Sequence, residues 1–332
     1  MMLPEPRSSR HTTDTTSAKI FGPAAARCVD IGLVNNMPDA ALEATERQFR
    51  TLLGAAADGI VVRLRLLTLP GVARSDAARD YLRSYSSVEE LQNSRLDGLI
   101  VTGTEPRQPN LRDEPYWSAL AKLVEWAEDH TSSTVWSCLA AHAAVLHLDG
   151  IKRCPFTEKR FGVFDCSPVP DHGLTAGLPR RFQMPHSRWN EVPEEALVAC
   201  GYRVISRSAE IGVDAFVRRR KNLFVFFQGH PEYDSDSLLL EYRRDVKRFC
   251  RRERDTYPPA PHGYFDDGTS AALAAIRESA LLNRCHDGAA ALPADLAARV
   301  TASWRPAAAA IYRNWLRYLC AQKERRLTAT TA

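Results

Sequence analysis

The chain has 332 residues, enough for one large α/β domain with additions or for two domains. Hydrophobic residues make up 45% and charged residues 25%, an ordinary globular balance. The net charge of +4 gives no electrostatic footprint for nucleic acid or an anionic membrane, and no apolar run approaches the roughly 18–20 residues of a membrane span.

Residues 1–26 are rich in Ser, Thr, Pro and Ala and lack the apolar core of a secretory signal, so they read as a mobile arm. Cys28–Val34 reads as a buried strand. Leu42, Phe49 and Leu53 then recur at helical spacing over 41–54, with Gly54 where a helix would end. Ile60–Leu67 is a second strand, a helix is expected near 87–95, and Leu96–Thr102 is a third strand. Gly103 opens a polar, Pro-containing loop before a helix from Trp117 to His130. Ser133–Trp136 is a short strand and Leu139–Leu148 a helix. Alternating strands and helices are the signature of a parallel sheet covered on both faces. Tyr202–Ile205, Gly212–Arg218 and Leu223–Phe227 read as a β-meander, followed by a charged helix over 236–252. A loop runs from Asp255 to Thr269, with helical stretches at about 270–283 and 293–320. The expected architecture is α/β: a mostly parallel central sheet flanked by helices over 27–253. A C-terminal loop and helical extension, 254–332, packs on the same domain.

The eight cysteines (Cys28, Cys138, Cys154, Cys166, Cys200, Cys250, Cys285 and Cys320) are scattered, without the clustering of a zinc site or disulfide framework. They are expected to be reduced and mostly buried. Cys138 stands out by context. In TVWSCLAAHA (134–143) a β-rich run ends at Ser137 and a small-residue helix begins, the pattern of a nucleophile elbow. A helix N-terminus favours a thiolate, and the Leu139 N–H is placed to bind an oxyanion. The alternative is a small core cysteine on a buried helix. A cysteine nucleophile needs a base and the base an orienting group. His230 and Glu232 in QGHPEY follow a separate strand and stand two apart, as alternate residues of a strand end can face one pocket. His142, one turn beyond Cys138, could line the pocket; His147 reads as a helix-terminal residue.

Seven segments together carry a family resemblance: NNMPDAALEATERQF, DGLIVTGTEP followed by EPYW, the Cys138 elbow with LAAHAAVLHLDGI, TEKRFGVF, MPHSRWNEV, GHPEYDSDSLLLEYRRDV, and SWRP with NWLRYL. In this order, over about 28–320, the chain resembles the homoserine O-succinyltransferase (homoserine transacylase) family, which has a class I glutamine-amidotransferase-like fold. The resemblance implies a cytoplasmic enzyme of methionine biosynthesis working by ping-pong acyl transfer. Cys138 would attack an acyl-CoA thioester, His230 act as base and Glu232 orient it. Leu139 with Gly103 or Thr104 would bind the oxyanion. Acyl-CoA is then a co-substrate, with no resident cofactor or metal. The family's acceptor-binding residues fall on Lys159, Ser187 and Arg244, and a homodimer is typical.

Two departures bear on substrate. Asp39 and Ala40 stand where many members have two lysines. The position that separates succinyl from acetyl donors falls on Arg107, where members have Gly for succinyl and Glu for acetyl transfer. A cation there would attract the free carboxylate of a succinyl group, so succinyl-CoA is expected over acetyl-CoA. The acceptor would be L-homoserine or a related hydroxy amino acid such as L-serine. A glutamine amidohydrolase could use the same three residues, but the elbow WSCLA lacks the Gly-x-Cys-x-Gly pattern of amidotransferases. A binding protein that kept the fold without the chemistry is the non-enzymatic alternative.

Overall fold

The computed structural model describes residues 27–92, 94–283 and 292–331. The arm over 1–26 and Cys285 lie outside the described residues. In chain order the strands are β1 (Cys28–Val34), β2 (Val61–Thr68), β3 (Ser86–Ser87), β4 (Gly98–Val101), β5 (Ser133–Ser137), β6 (Cys154–Pro168), β7 (Phe182–Glu191), β8 (Arg203–Ser208), β9 (Gly212–Arg219) and β10 (Leu223–Phe227). The α-helices are α1 (Leu42–Ala56), α2 (Asp76–Tyr81), α3 (Trp117–His130), α4 (Leu139–Asp149), α5 (Glu194–Ala199), α6 (Ser237–Cys250), α7 (Asp267–Asn283) and α8 (Arg305–Thr331).

All ten strands join one sheet in the order β3-β2-β1-β4-β5-β10-β9-β8-β6-β7. The first six are parallel; β10-β9, β9-β8, β8-β6 and β6-β7 are antiparallel. β10 is the seam. It closes the meander on one side and pairs in parallel with β5 on the other, Phe227 opposite Ser137. The carboxyl ends of β5 and β10 are therefore neighbours, the edge at which open parallel sheets carry their sites.

The LFVFF run of β10 is buried at every position because both faces of the sheet are covered. Phe224 and Phe226 pack with Trp136 and with Leu120, Leu123 and Val124 of α3 on one face. Leu223, Val225 and Phe227 pack on the other with Phe49 of α1 and with Tyr312, Trp315 and Leu316 of α8. Each such side chain contributes about 1.5–3 kcal/mol by leaving water. α8 is anchored by polar contacts as well. Trp315 Nε1 donates to Ser133 Oγ at 2.9 Å, and the ammonium of Lys323 and the guanidinium of Arg326 hold the buried Asp97 at 2.8 and 2.6 Å. Trp304 Nε1 donates to the Tyr233 carbonyl at 3.1 Å, tying the segment before α8 to the turn that follows β10.

The structure departs from the sequence expectations in several places. The helix expected near 87–95 is the two-residue β3 followed by a single 3₁₀ stretch, Val88–Leu91, closed by a Ser87–Glu90 capping box. α1 continues through Gly54 to Ala56. The stretch 293–320 splits into a 3₁₀ turn, Ala294–Arg299, and α8, which runs on to Thr331. β6, β7, α2 and α5 have no counterpart among the elements the sequence predicts. Of the described cysteines, only Cys166 and Cys250 are buried, so mostly buried is an overstatement. Among the described residues, no helix is long and apolar enough to cross a membrane.

Candidate active site

Cys138 is the N-cap of α4, with φ 53° and ψ −116°. A non-glycine residue at positive φ is strained, and its location between β5 and α4 is that of an elbow which lifts one side chain clear of the sheet. Its N–H is fixed by the Phe227 carbonyl of β10 at 2.8 Å. Leu139 is the first residue of α4, so its N–H has no acceptor within the helix. Gly103, two residues beyond β4, runs against it: a Cβ on Gly103 would stand 2.9 Å from the Leu139 nitrogen.

His230 and Glu232 follow β10, but not as alternate residues of an extended strand. They sit in a turn in which Tyr233 N–H donates to the His230 carbonyl at 3.2 Å. Pro231 occupies the turn position that its fixed φ favours. The turn brings His230 Nδ1 to 2.9 Å from Glu232 Oε1, with both side chains buried. With Nδ1 engaged by Glu232, Nε2 is left for the sulfur. Burial disfavours the imidazolium, but the Cys138 sulfur and the Glu232 carboxylate outweigh it and hold the His230 pKa well above its ordinary value. Glu232 Oε2 and the hydroxyl of Tyr312 on α8 are both buried without a hydrogen-bond partner among the described residues. Tyr233 stacks on the His230 ring with centroids 4.2 Å apart.

Lys159, Ser187 and Arg244, from β6, β7 and α6, also come together. They converge on Glu241. Its Oε2 accepts from Ser187 Oγ at 2.6 Å and lies 3.3 Å from Lys159 Nζ, and its Oε1 accepts from Tyr233 at 2.6 Å. Arg244 Nη2 is 3.9 Å from the same carboxylate and its Nε donates to Asp245 Oδ1 at 3.0 Å. Burial pushes the Glu241 carboxyl up, but Lys159, Ser187 and Tyr233 more than offset it, and its pKa is lowered. Sequence reasoning missed Glu241. It is one turn before Asp245 on α6, and its helical phase toward the site was the available signal.

A second missed group lies behind the histidine. Gly229 passes so close to it that a Cβ would stand 2.8 Å from both Asp214 Oδ1 and His186 Nε2. His186 Nε2 and Asp214 Oδ1 are 3.1 Å apart and fully buried, near enough to attract but too poorly aligned for a good hydrogen bond. Ser206 Oγ donates to Asp214 Oδ2 at 2.5 Å and Arg188 Nε to His186 Nδ1 at 3.3 Å. Cys166 joins them within 4.8 Å. Burial pulls His186 down to about 4, so it is neutral near pH 7. His142 lies on α4 one turn beyond Cys138. It is buried, its Nε2 is 3.1 Å from Gln228 Oε1, and burial lowers its pKa to about 3. His147 is near the end of α4, 3.2 Å from Glu125.

Beside Thr104 opens a cleft of about 360 Å³ whose lining includes Asp39, Arg74, Arg107, Glu114 and Tyr116 but not Cys138. Both substrate-related departures therefore bear on one space, Asp39 and Arg107 facing it together. Arg107, not Arg112, lines it. Asp39 accepts from Ser75 N–H at 2.9 Å and meets Arg74 Nη1 at 3.3 Å, with its pKa lowered by the Ser75 N–H first.

A homoserine O-succinyltransferase family model matches residues 17–326. The chain belongs to the homoserine O-succinyltransferase family. It is 50% identical over 295 residues to the homoserine O-succinyltransferase of Rhodopseudomonas palustris, covering 88% of this chain and 89% of that protein. It is 48% identical over 291 residues to that of Bradyrhizobium japonicum, covering 87% and 89%. Among solved structures, a glutamine amidotransferase from Methylobacillus flagellatus superposes with a TM-score of 0.49 at 15% identity, covering 88% of this chain and 95% of that one. The family expected from the seven segments is the family found, and the chain is an enzyme of the transferase class.

Proposed function

We propose that this transferase moves a succinyl group from succinyl-CoA to the side-chain hydroxyl of L-homoserine through an acyl-cysteine on Cys138. The observation that carries the reading is the meeting of Cys138, His230 and Glu232 at the ends of the paired strands β5 and β10. The Cys138 thiolate attacks the thioester carbonyl, and the oxyanion is held by the N–H of Leu139 with Gly103 or Thr104 opposite. CoA leaves as a thiol with the proton of His230. Thioester exchange is nearly neutral in energy, which suits a thiol nucleophile. His230 then takes the proton of the acceptor hydroxyl, whose oxygen attacks the acyl-cysteine and returns the thiolate. Glu232 orients His230 and stabilises its cation.

For the acceptor, Arg244 would hold the α-carboxylate and Glu241 the ammonium, with Lys159 and Ser187 setting the carboxylate of Glu241. For the donor, Arg107 supplies a positive charge to the cleft beside Thr104, which favours succinyl over acetyl. Acyl-CoA is a co-substrate and no resident cofactor takes part; the reaction belongs in the cytoplasm, carried out by a homodimer. The test is CoA release from succinyl-CoA and acetyl-CoA, each with L-homoserine and L-serine, in wild type and Cys138→Ala. Turnover with succinyl-CoA and L-homoserine that vanishes in the variant supports the reading. No release with any pair contradicts it, and glutamine hydrolysis without CoA would put an amidohydrolase in its place.

A further inference from the structure

We propose that the outer face of α6 is the binding site for the phosphates of the donor, the diphosphate and ribose phosphate of CoA. The inference rests on the reading that the donor is an acyl-CoA. A surface pocket of about 460 Å³ is lined by Arg243, Arg244, Lys247, Arg248 and Arg251, with Glu253 its one acid. Arg244, Lys247, Arg248 and Arg251 stand at i, i+3, i+4 and i+7, so they share one helix face. The stripe runs about 10 Å along the helix at 1.5 Å per residue.

One end of this stripe is in the active site. Arg244 reaches Asp245 and Glu241, the group that also holds Lys159 and Ser187. Arg248 Nη1 is 4.0 Å from Glu105, which follows Thr104 in the loop next to the elbow. The other end, Lys247 and Arg251, has no ion pair among the described residues, and both side chains are exposed. A helix carboxyl end carries a partial negative charge that repels phosphate; the full charges of Lys247, Arg248 and Arg251 outweigh it. Unpaired cations leading outward from a site that takes thioesters fit a ligand with its reactive sulfur at one end and its phosphates at the other.

The experiment compares two donors that differ in phosphate: succinyl-CoA and S-succinyl-N-acetylcysteamine. The variants are Lys247→Ala/Arg251→Ala and Arg251→Glu. The expected result is a KM for succinyl-CoA raised about tenfold in the double variant, and further in the charge reversal, with added salt weakening wild type toward the variants. The KM for the phosphate-free thioester should stay put. An unchanged KM for succinyl-CoA, equal rises with both donors, or a wild type with the same KM for both would overturn the proposal. If wild type turns over neither donor, the functional reading fails, and calorimetric titration with adenosine 3′,5′-bisphosphate decides the site separately. Binding to wild type that is lost in the double variant supports it; no binding to wild type overturns it.

Discussion

Replacing Gly103 by Ala adds one methyl group at the place where the proposed oxyanion would be held. The added Cβ would stand 2.9 Å from the Leu139 nitrogen and 3.0 Å from the Leu139 Cβ. Ordinary contact begins at 3.4 Å, so Gly103 and Leu139 must part by about 0.5 Å. Oxyanion donors work at about 2.7–3.1 Å, and loss of one costs roughly 100- to 1000-fold in kcat. The expected result is a fall in kcat of that order, with thermal stability reduced far less than by a cavity in the core. Gly54→Ala is the control. Nothing lies within 4 Å of its new Cβ, and a mid-helix Gly-to-Ala change adds about 0.5–1 kcal/mol of stability, leaving kcat alone. Steady-state kinetics with succinyl-CoA and L-homoserine, beside a thermal melt, read both quantities. A Gly103→Ala enzyme that folds and keeps the wild-type kcat would refute the placement of the oxyanion at Leu139.

Arg107→Glu should lower kcat/KM for succinyl-CoA about fivefold to tenfold relative to acetyl-CoA, since it sets a negative charge against the succinyl carboxylate; an unchanged donor ratio counts against Arg107. Glu241→Gln should raise the KM for L-homoserine at least about tenfold and leave the donor KM in place, measured by varying each substrate in turn. His142 gives a pH prediction. Its folded pKa, about 3, is lower than its ordinary 6.5, so between those values the unfolded chain binds the proton and the folded chain does not. Its contribution is present above pH 6.5 and drains away as pH falls toward 3, by up to about 1.4 kcal/mol per unit. Urea unfolding from pH 6.5 to 4 should show a shallower slope in His142→Asn; identical slopes would contradict it.

The parallel half of the fold was legible because strands such as β4 and β10 are continuous apolar runs, buried at every position, in a chain that alternates strands with helices. The elbow was legible for the same reason: a β-run that stops at Ser137 and a small-residue helix that starts at once leave Cys138 little choice of place. β6 and β7 were not, since β6 opens with exposed and half-buried residues and pairs irregularly between Pro155 and Arg160. Their short-range pattern carries no period. The spacing of His230 and Glu232 pointed to the right pair through the wrong geometry, a proline turn instead of a strand end. Lys159, Ser187 and Arg244 came from the family resemblance, while Glu241, the carboxylate that gathers them, needed the fold. So did the convergence of Asp39 and Arg107 on one cleft, because 68 positions of chain separate them and only the sheet order brings them together.

The most direct test is to mix the protein with succinyl-CoA alone and map the product by peptide mass spectrometry. The account predicts one succinyl group in thioester linkage on Cys138, discharged when L-homoserine is added. CoA release that requires the acceptor to be present, or a succinyl group on any other residue, would contradict it.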